Sequence, residues 1–165
     1  MKQVKLLQSK LLSIPELNSQ LENWRSTNQK IVFTNGCFDL LHFGHIDYLA
    51  KARDLGDKLI VGLNTDASVQ KLKGSSRPIK DEVSRAHLLA SMQFVDAVIL
   101  FDQETPINLI SQIKPDVLVK GGDYTIEGIV GHEVVQKNGG EVCTLDFVQG
   151  YSSSTLIDKI KKGNV

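Results

Sequence analysis

Five short apolar runs, each followed by turn residues and then a helical pattern, constrain this chain more than any other feature. The runs are Ile31-Val32-Phe33, Leu59-Ile60-Val61-Gly62-Leu63, Ala97 to Phe101, Val117-Leu118-Val119 and Val142 to Phe147. Strands this short and this continuously apolar are buried on both faces, which is the situation of a parallel sheet sandwiched by helices. Right-handed crossovers then predict an α/β, Rossmann-like, doubly wound five-stranded parallel sheet with helices on both faces. With a strand order of 3-2-1-4-5, the order reverses between the first and fourth strands, and ligands bind outside their carboxyl ends.

The connecting segments carry their own start and stop signals. Asn64-Thr65-Asp66 caps a short helix through Leu72, and Lys73-Gly74-Ser75-Ser76-Arg77-Pro78 is a loop by composition. Asp81 caps a helix with Val83, Ala86, Leu89, Ala90 and Phe94 on its inner side. Thr105-Pro106 opens a helix through Ile113, with proline at the first helical position. A helix over His132 to Lys137 is stopped by Asn138-Gly139-Gly140. Ser152-Ser153-Ser154-Thr155 opens a last helix containing Leu156, Ile157 and Ile160. There is no internal repeat and no low-complexity segment.

Residues 1–29 stand apart from this alternation. Leu6, Leu7, Leu11 and Leu12 suggest one helical face, Ser13-Ile14-Pro15 breaks it, and Glu16 to Trp24 resumes the pattern. The expected organisation is an N-terminal helical extension over 1–29, packed on the domain or on a partner subunit, and one α/β domain over 30–165.

Composition narrows the partners. The 165 residues hold 19 Lys plus Arg against 19 Asp plus Glu, a formal net charge of zero. That argues against a broad nucleic-acid or membrane-binding face while leaving room for a local basic pocket. Cys37 and Cys143 form no CxxC pair and suggest no disulfide framework. No apolar run is long enough to span a bilayer, and no continuous apolar signal region opens the chain. A cytoplasmic protein is the expectation.

The chemistry concentrates after the first strand, in Thr34-Asn35-Gly36-Cys37-Phe38-Asp39-Leu40-Leu41-His42-Phe43-Gly44-His45. Strand, glycine turn and helix start in that order bring backbone N–H groups and a positive dipole end to one place, an anion site. His42 and His45 add neutral-pH hydrogen-bond donors, although an isolated HxxH is more often a surface or capping pair. Zinc lacks a convincing third ligand here. Cys37 reads as a small apolar filler rather than a nucleophile. Lys120-Gly121-Gly122-Asp123 ends the fourth strand and faces the same crevice. Its lysine precedes the glycines, so it is no Walker A loop, but it can bind phosphate as a point charge. Lys73, Arg77 and Arg85 are further candidate phosphate clamps. Ser152 to Thr155 offer hydroxyls and free N–H groups at a helix start, a pattern that simple N-capping also explains. His87 and His132 read as structural or surface residues.

Taken together these stretches resemble the nucleotidyltransferase (cytidylyltransferase-like) superfamily marked by HxGH, here His42-Phe43-Gly44-His45. Within it the resemblance is closest to adenylyltransferases acting on D-glycero-D-manno-heptose 1-phosphate, which in many bacteria form half of a bifunctional heptose kinase/adenylyltransferase. Leu72-Lys73-Gly74-x-Ser76-Arg77-Pro78, Leu118-Val119-Lys120-Gly121-Gly122-Asp123-Tyr124 and Asn138-Gly139-Gly140-Glu141-Val142 follow in family order across roughly residues 30–160. Three features depart from the fused pattern: no sugar-kinase half accompanies these residues, the last motif reads Tyr151-Ser152-Ser153-Ser154-Thr155 where relatives often read Ser-Thr-Thr, and residues 1–29 have no assigned counterpart.

The resemblance implies transfer of AMP from ATP to a heptose 1-phosphate, giving ADP-heptose and pyrophosphate, as in lipopolysaccharide biosynthesis. It implies catalytic roles for His42, His45 and Lys120. Nucleotide contacts would come from Asn35, Gly36, Cys37, Phe38, His42, His45, Gly121, Asp123, Ser152, Ser153, Ser154 and Thr155. Asp39, Lys73, Arg85 and Lys120 would contact the acceptor, with Asp39 on the sugar or metal side. Mg2+ would accompany ATP, with no ligand set fixed by the sequence. A homodimer and a separate heptose kinase are the implied partners. A cytidylyltransferase for glycerol 3-phosphate or a similar alcohol phosphate, and a non-catalytic nucleotide-binding subunit, remain the alternatives.

Overall fold

The computed structural model describes residues 1–122 and 124–163. Six parallel strands form one sheet in the order β1-β4-β3-β2-β5-β6, where β1 is Leu11–Leu12, β2 Ile31–Gly36, β3 Lys58–Asn64, β4 Ala97–Phe101, β5 Val117–Gly121 and β6 Glu141–Leu145. The five expected strands take the expected order, from β4 across to β6. The sixth strand corrects the count. Leu11 and Leu12 leave the helical face proposed for them and pair with Val98 and Ile99 at the edge of the sheet. Helix α1 stops at Gln8 (Lys2–Gln8), and only the four residues Ser9 to Leu12 remain before Ser13 caps α2 (Ile14–Ser26). Two leucines carry no periodicity that could separate strand from helix.

Period-two alternation sorts the strand residues onto two cores. Ile31, Phe33, Ile60, Ile99 and Leu118 face one side, against Leu17, Leu21 and Trp24 of α2, Ile110 and Ile113 of α6 (Ile107–Ile113) and Val135 of α7 (His132–Lys137). Val32, Leu59, Val61, Val98 and Val119 face the other, against Leu49 and Ala52 of α3 (Phe43–Arg53) and Leu89 and Ala90 of α5 (Glu82–Ala90). The N-terminal extension is thus packed into the core: Leu17 is fully buried. Ser13 and Glu16 form a capping box that starts α2 where the sequence breaks. On α5 the expected inner face holds at Ala86, Leu89 and Ala90, but Val83 points to solvent and Phe94 lies beyond the helix end.

One irregularity of register creates the functional cleft. β2 pairs with β3 along its whole length, from Ile31↔Lys58 to Gly36↔Leu63. With β5 it pairs only at Val32↔Val117 and Phe33↔Leu118. Beyond Phe33 the two strands part, and side chains take over from the ladder. The buried Tyr48 hydroxyl donates to the Val119 carbonyl (3.1 Å) and accepts from the Thr34 hydroxyl (2.7 Å). Burial holds that phenol protonated, well above its usual titration range. Farther out, Lys120 Nζ donates to Asn35 Oδ1 at 2.5 Å.

Candidate active site

A cavity of about 370 Å3 opens where β2 and β5 separate. Its floor is the turn Asn35 to Asp39, its sides carry His45 and Tyr48 from α3, Lys73, and Lys120 with Gly121 from the end of β5, and its rim holds Tyr124, Phe147 and Ser153. The two motifs expected to meet across the strand reversal do so here. Asp123 lies outside the described residues.

His42 caps α3 from an extended conformation, and its carbonyl accepts the first helical bond, from His45 N–H at 2.9 Å. The two imidazoles stack with centroids 3.8 Å apart. Phe38 meets His45 edge-on and Tyr151 lies roughly parallel to His42, fixing the pair from both sides. Gly44 is required by this packing: a Cβ there would meet the His42 ring and Tyr151 Cβ at 3.2 Å. Both Nδ1 atoms are buried without a hydrogen-bond partner. A buried N–H without an acceptor costs more than a buried bare nitrogen, so each neutral ring keeps its proton on Nε2. Burial, then the neighbouring His42 and Lys73, pushes the His45 pKa down to about 4, and burial lowers that of His42. In the free protein at neutral pH the uncharged form of each ring is therefore favoured, as a single donor.

Lys120 supplies a positive charge held by Asn35. Burial pushes its pKa down to about 8, so an incoming phosphate finds a desolvated ammonium whose protonation it reinforces. Lys73, at the end of α4 (Asp66–Lys73), faces the cavity from the other side.

Two residues expected to touch the acceptor are committed elsewhere. The Arg85 side chain has no exposure: its guanidinium donates to the Cys37 carbonyl (2.6 Å), the Lys80 carbonyl (3.1 Å) and Asp66 Oδ1 (2.7 Å). It lies behind the cavity wall as a tie between the nucleotide turn, the 74–81 loop and the first turn of α4. The Asp39 carboxylate accepts from Arg77 Nε (2.6 Å) and from the backbone N–H groups of Ile79 and Lys80. Burial alone would raise its pKa, but those donors outweigh it and hold it below the usual carboxylate value. Asp39 borders the cavity, yet its oxygens are already engaged. Among the described residues no group of three or more His, Cys, Asp or Glu side chains could hold a metal ion.

The serine run divides. Ser152 is the N-cap of α8 (Ser153–Lys161) and accepts from Thr155 N–H, so its hydroxyl serves the helix. Ser153 reaches the cavity and donates to the Leu40 carbonyl, tying α8 to the histidine segment. Ser154 and Thr155 are exposed and do not border the cavity. Tyr124, the last residue of the Leu118 to Tyr124 motif, joins the site with no role assigned from sequence, and Tyr48 and Phe147 complete it without having been foreseen. Aromatic residues outside a motif carry no sequence signal that separates a cavity wall from core. His87 and His132 bond only to carbonyls of their own neighbourhood, Val83 and Ile129.

The family profile described as cytidylyltransferase-like matches residues 33–158, which span the cavity, both histidines and Ser153. The chain is 55% identical over 152 residues to the bifunctional protein HldE of Citrifermentans bemidjiense, covering 92% of this chain and 31% of that protein. HldE of Geotalea uraniireducens is 50% identical over 157 residues, 95% of this chain and 32% of that one. The chain thus spans about a third of the length of these curated relatives. Among solved structures, a lipopolysaccharide core biosynthesis protein from Thermoplasma volcanium superposes with a TM-score of 0.59 at 30% identity, over 75% of this chain and 99% of that one. A pantoate-beta-alanine ligase from Francisella tularensis shares the fold at 15% identity, with a TM-score of 0.59 over 94% of this chain and 78% of its own. Among the described residues no helix is long and apolar enough to cross a membrane. By its family profile, its relatives and its HxGH-bearing cleft, the chain belongs to the cytidylyltransferase-like family of nucleotidyltransferases.

Proposed function

We propose that this chain is an adenylyltransferase that transfers AMP from ATP to a heptose 1-phosphate, forming ADP-heptose and pyrophosphate. The observation that carries this reading is the stacked His42–His45 pair, of which His45 lines the cavity together with Lys120, with neither imidazole hydrogen-bonded to another described residue. The high identity to proteins named HldE supports the choice of acceptor.

An oxygen of the sugar 1-phosphate attacks the α-phosphorus in line; the new P–O bond forms as the bond to the β-phosphate oxygen breaks, and pyrophosphate leaves with the electron pair. The attacking phosphate is already ionised, so no general base is needed, and catalysis rests on positioning and charge stabilisation. His42 and His45 donate to phosphate oxygens as charge develops, and Lys120 neutralises it. The N-terminus of α3 and the turn from Asn35 to Phe38 present backbone donors to the same oxygens. Lys73 holds the acceptor phosphate. Mg2+ enters as part of the nucleotide substrate, bound by the triphosphate. A sugar kinase must supply the acceptor. A homodimer and a cytoplasmic setting belong to the same proposal.

The test is pyrophosphate release from ATP, CTP, GTP and UTP against α- and β-heptose 1-phosphate and glycerol 3-phosphate. Turnover with ATP and one heptose 1-phosphate anomer is expected. Turnover confined to CTP with glycerol 3-phosphate, or ATP binding without turnover on any sugar phosphate, would overturn the proposal.

A further inference from the structure

The cavity lining holds two kinds of side chain: His45, Lys73 and Lys120, suited to phosphate, and the aromatic Tyr48, Tyr124 and Phe147. Phe147 is the residue that the reaction described above leaves unused. It lies in irregular chain just past β6, borders the cavity, and is 56% exposed. A phenyl ring left this open forfeits burial worth roughly 25 cal/mol per Å2 of apolar surface.

The ring is also held in place. It lies across the backbone of Gly121 and Gly122, so closely that a Cβ on Gly121 would fall 2.4 Å from Phe147 Cε1 and one on Gly122 2.8 Å from Cε2. Gly122 needs glycine for its backbone (φ 94°), but Gly121 has no such requirement. At Gly121 the Phe147 ring occupies the space that a side chain would take. Tyr48 supports the ring from the side, with centroids 6.1 Å apart. One face is thus fixed against strand-end backbone while the ring remains largely open at the cavity.

We infer that Phe147 is the stacking platform for the nucleobase of the nucleotide substrate, with Gly121 as its seat. A flat π-face suits an aromatic platform and needs no hydrogen bonds on that side, whereas a sugar ring brings hydroxyls that must be paired. Among the described aromatic residues of the lining, the Tyr124 hydroxyl alone is open to such groups, since the Tyr48 hydroxyl is already paired. Stacking tolerates every base, so Phe147 sets how tightly a nucleotide is held and leaves the choice among bases to edge contacts. This inference rests on the proposed nucleotidyl transfer and locates the base within that site.

The experiment compares ATP with inorganic tripolyphosphate, which carries the same phosphate chain and no base. Binding of each to the wild-type chain and to Phe147→Ala and Phe147→Trp is measured by calorimetry, with melting curves to establish folding. Phe147→Ala should weaken ATP about tenfold to a hundredfold, leave tripolyphosphate within about twofold, and raise the KM for ATP more than it lowers kcat. Phe147→Trp should retain ATP binding, and its fluorescence should be quenched by ATP and unaffected by tripolyphosphate. Equal weakening of both ligands, no change in either, or a change confined to the acceptor KM would overturn the inference. Wild-type turnover on heptose 1-phosphate is scored separately. If CTP proves to be the substrate, the comparison is run with CTP, and the platform stands or falls apart from the proposed acceptor and base.

Discussion

Two clusters of charged and polar side chains lie within the same few turns of this fold and differ in one respect. Behind the cavity wall, Arg85 and Asp39 are buried and richly partnered: Arg85 has three acceptors, and Asp39 draws on one guanidinium and two backbone N–H groups. At the cavity, His45 and its stacking neighbour His42 each bury an Nδ1 with no partner, and among the described residues Lys120 is desolvated with Asn35 alone as its counterpart. A buried polar group with all its partners has nothing left to offer a substrate; an under-partnered one does. In the proposed reaction the difference separates residues that hold the site's shape from residues that bind phosphate, with Arg77 Nη2 the one unpartnered buried atom beside Asp39.

The comparison breaks first at Arg85. Removing it leaves Asp66 without its cation and two carbonyls without donors. Arg85→Ala should cost about 3–5 kcal/mol of stability, which lowers the melting temperature by roughly 10 °C in a chain of this size. A melting temperature within about 2 °C of wild type would show the tie to be unimportant. Lys120 makes the smaller prediction, one of pH. Its pKa in the free protein is about 8, and a bound phosphate chain raises it, so binding above that pH takes up a proton. ATP affinity should be full below about pH 8 and decline as pH rises past it. Calorimetry in two buffers of different ionisation enthalpy measures the uptake, and Lys120→Met should abolish it.

Much of this was legible in the sequence, for physical reasons that also mark where legibility stops. Five buried strands announce themselves as apolar runs because both faces of a parallel sheet are covered. The strand–turn–helix junction at Thr34 to His45 declares an anion site through its glycines and its helix start. Leu11–Leu12 was not legible, because a two-residue strand has no period. Arg85 and Asp39 were assigned to the acceptor because a charged residue beside a motif reads the same whether it faces the substrate or the protein; only packing decides. Phe147 lies outside every motif, and its seat, Gly121, is explained by a contact between β5 and the segment beyond β6.

The most direct test of the account is the turnover of a folded His45→Ala variant. Pyrophosphate release should fall by a factor on the order of a hundred to a thousand, while the melting temperature stays within about 3 °C of wild type, since the imidazole removed bonds to no protein group. A folded variant with undiminished turnover would contradict the claim that the under-partnered histidines carry the chemistry.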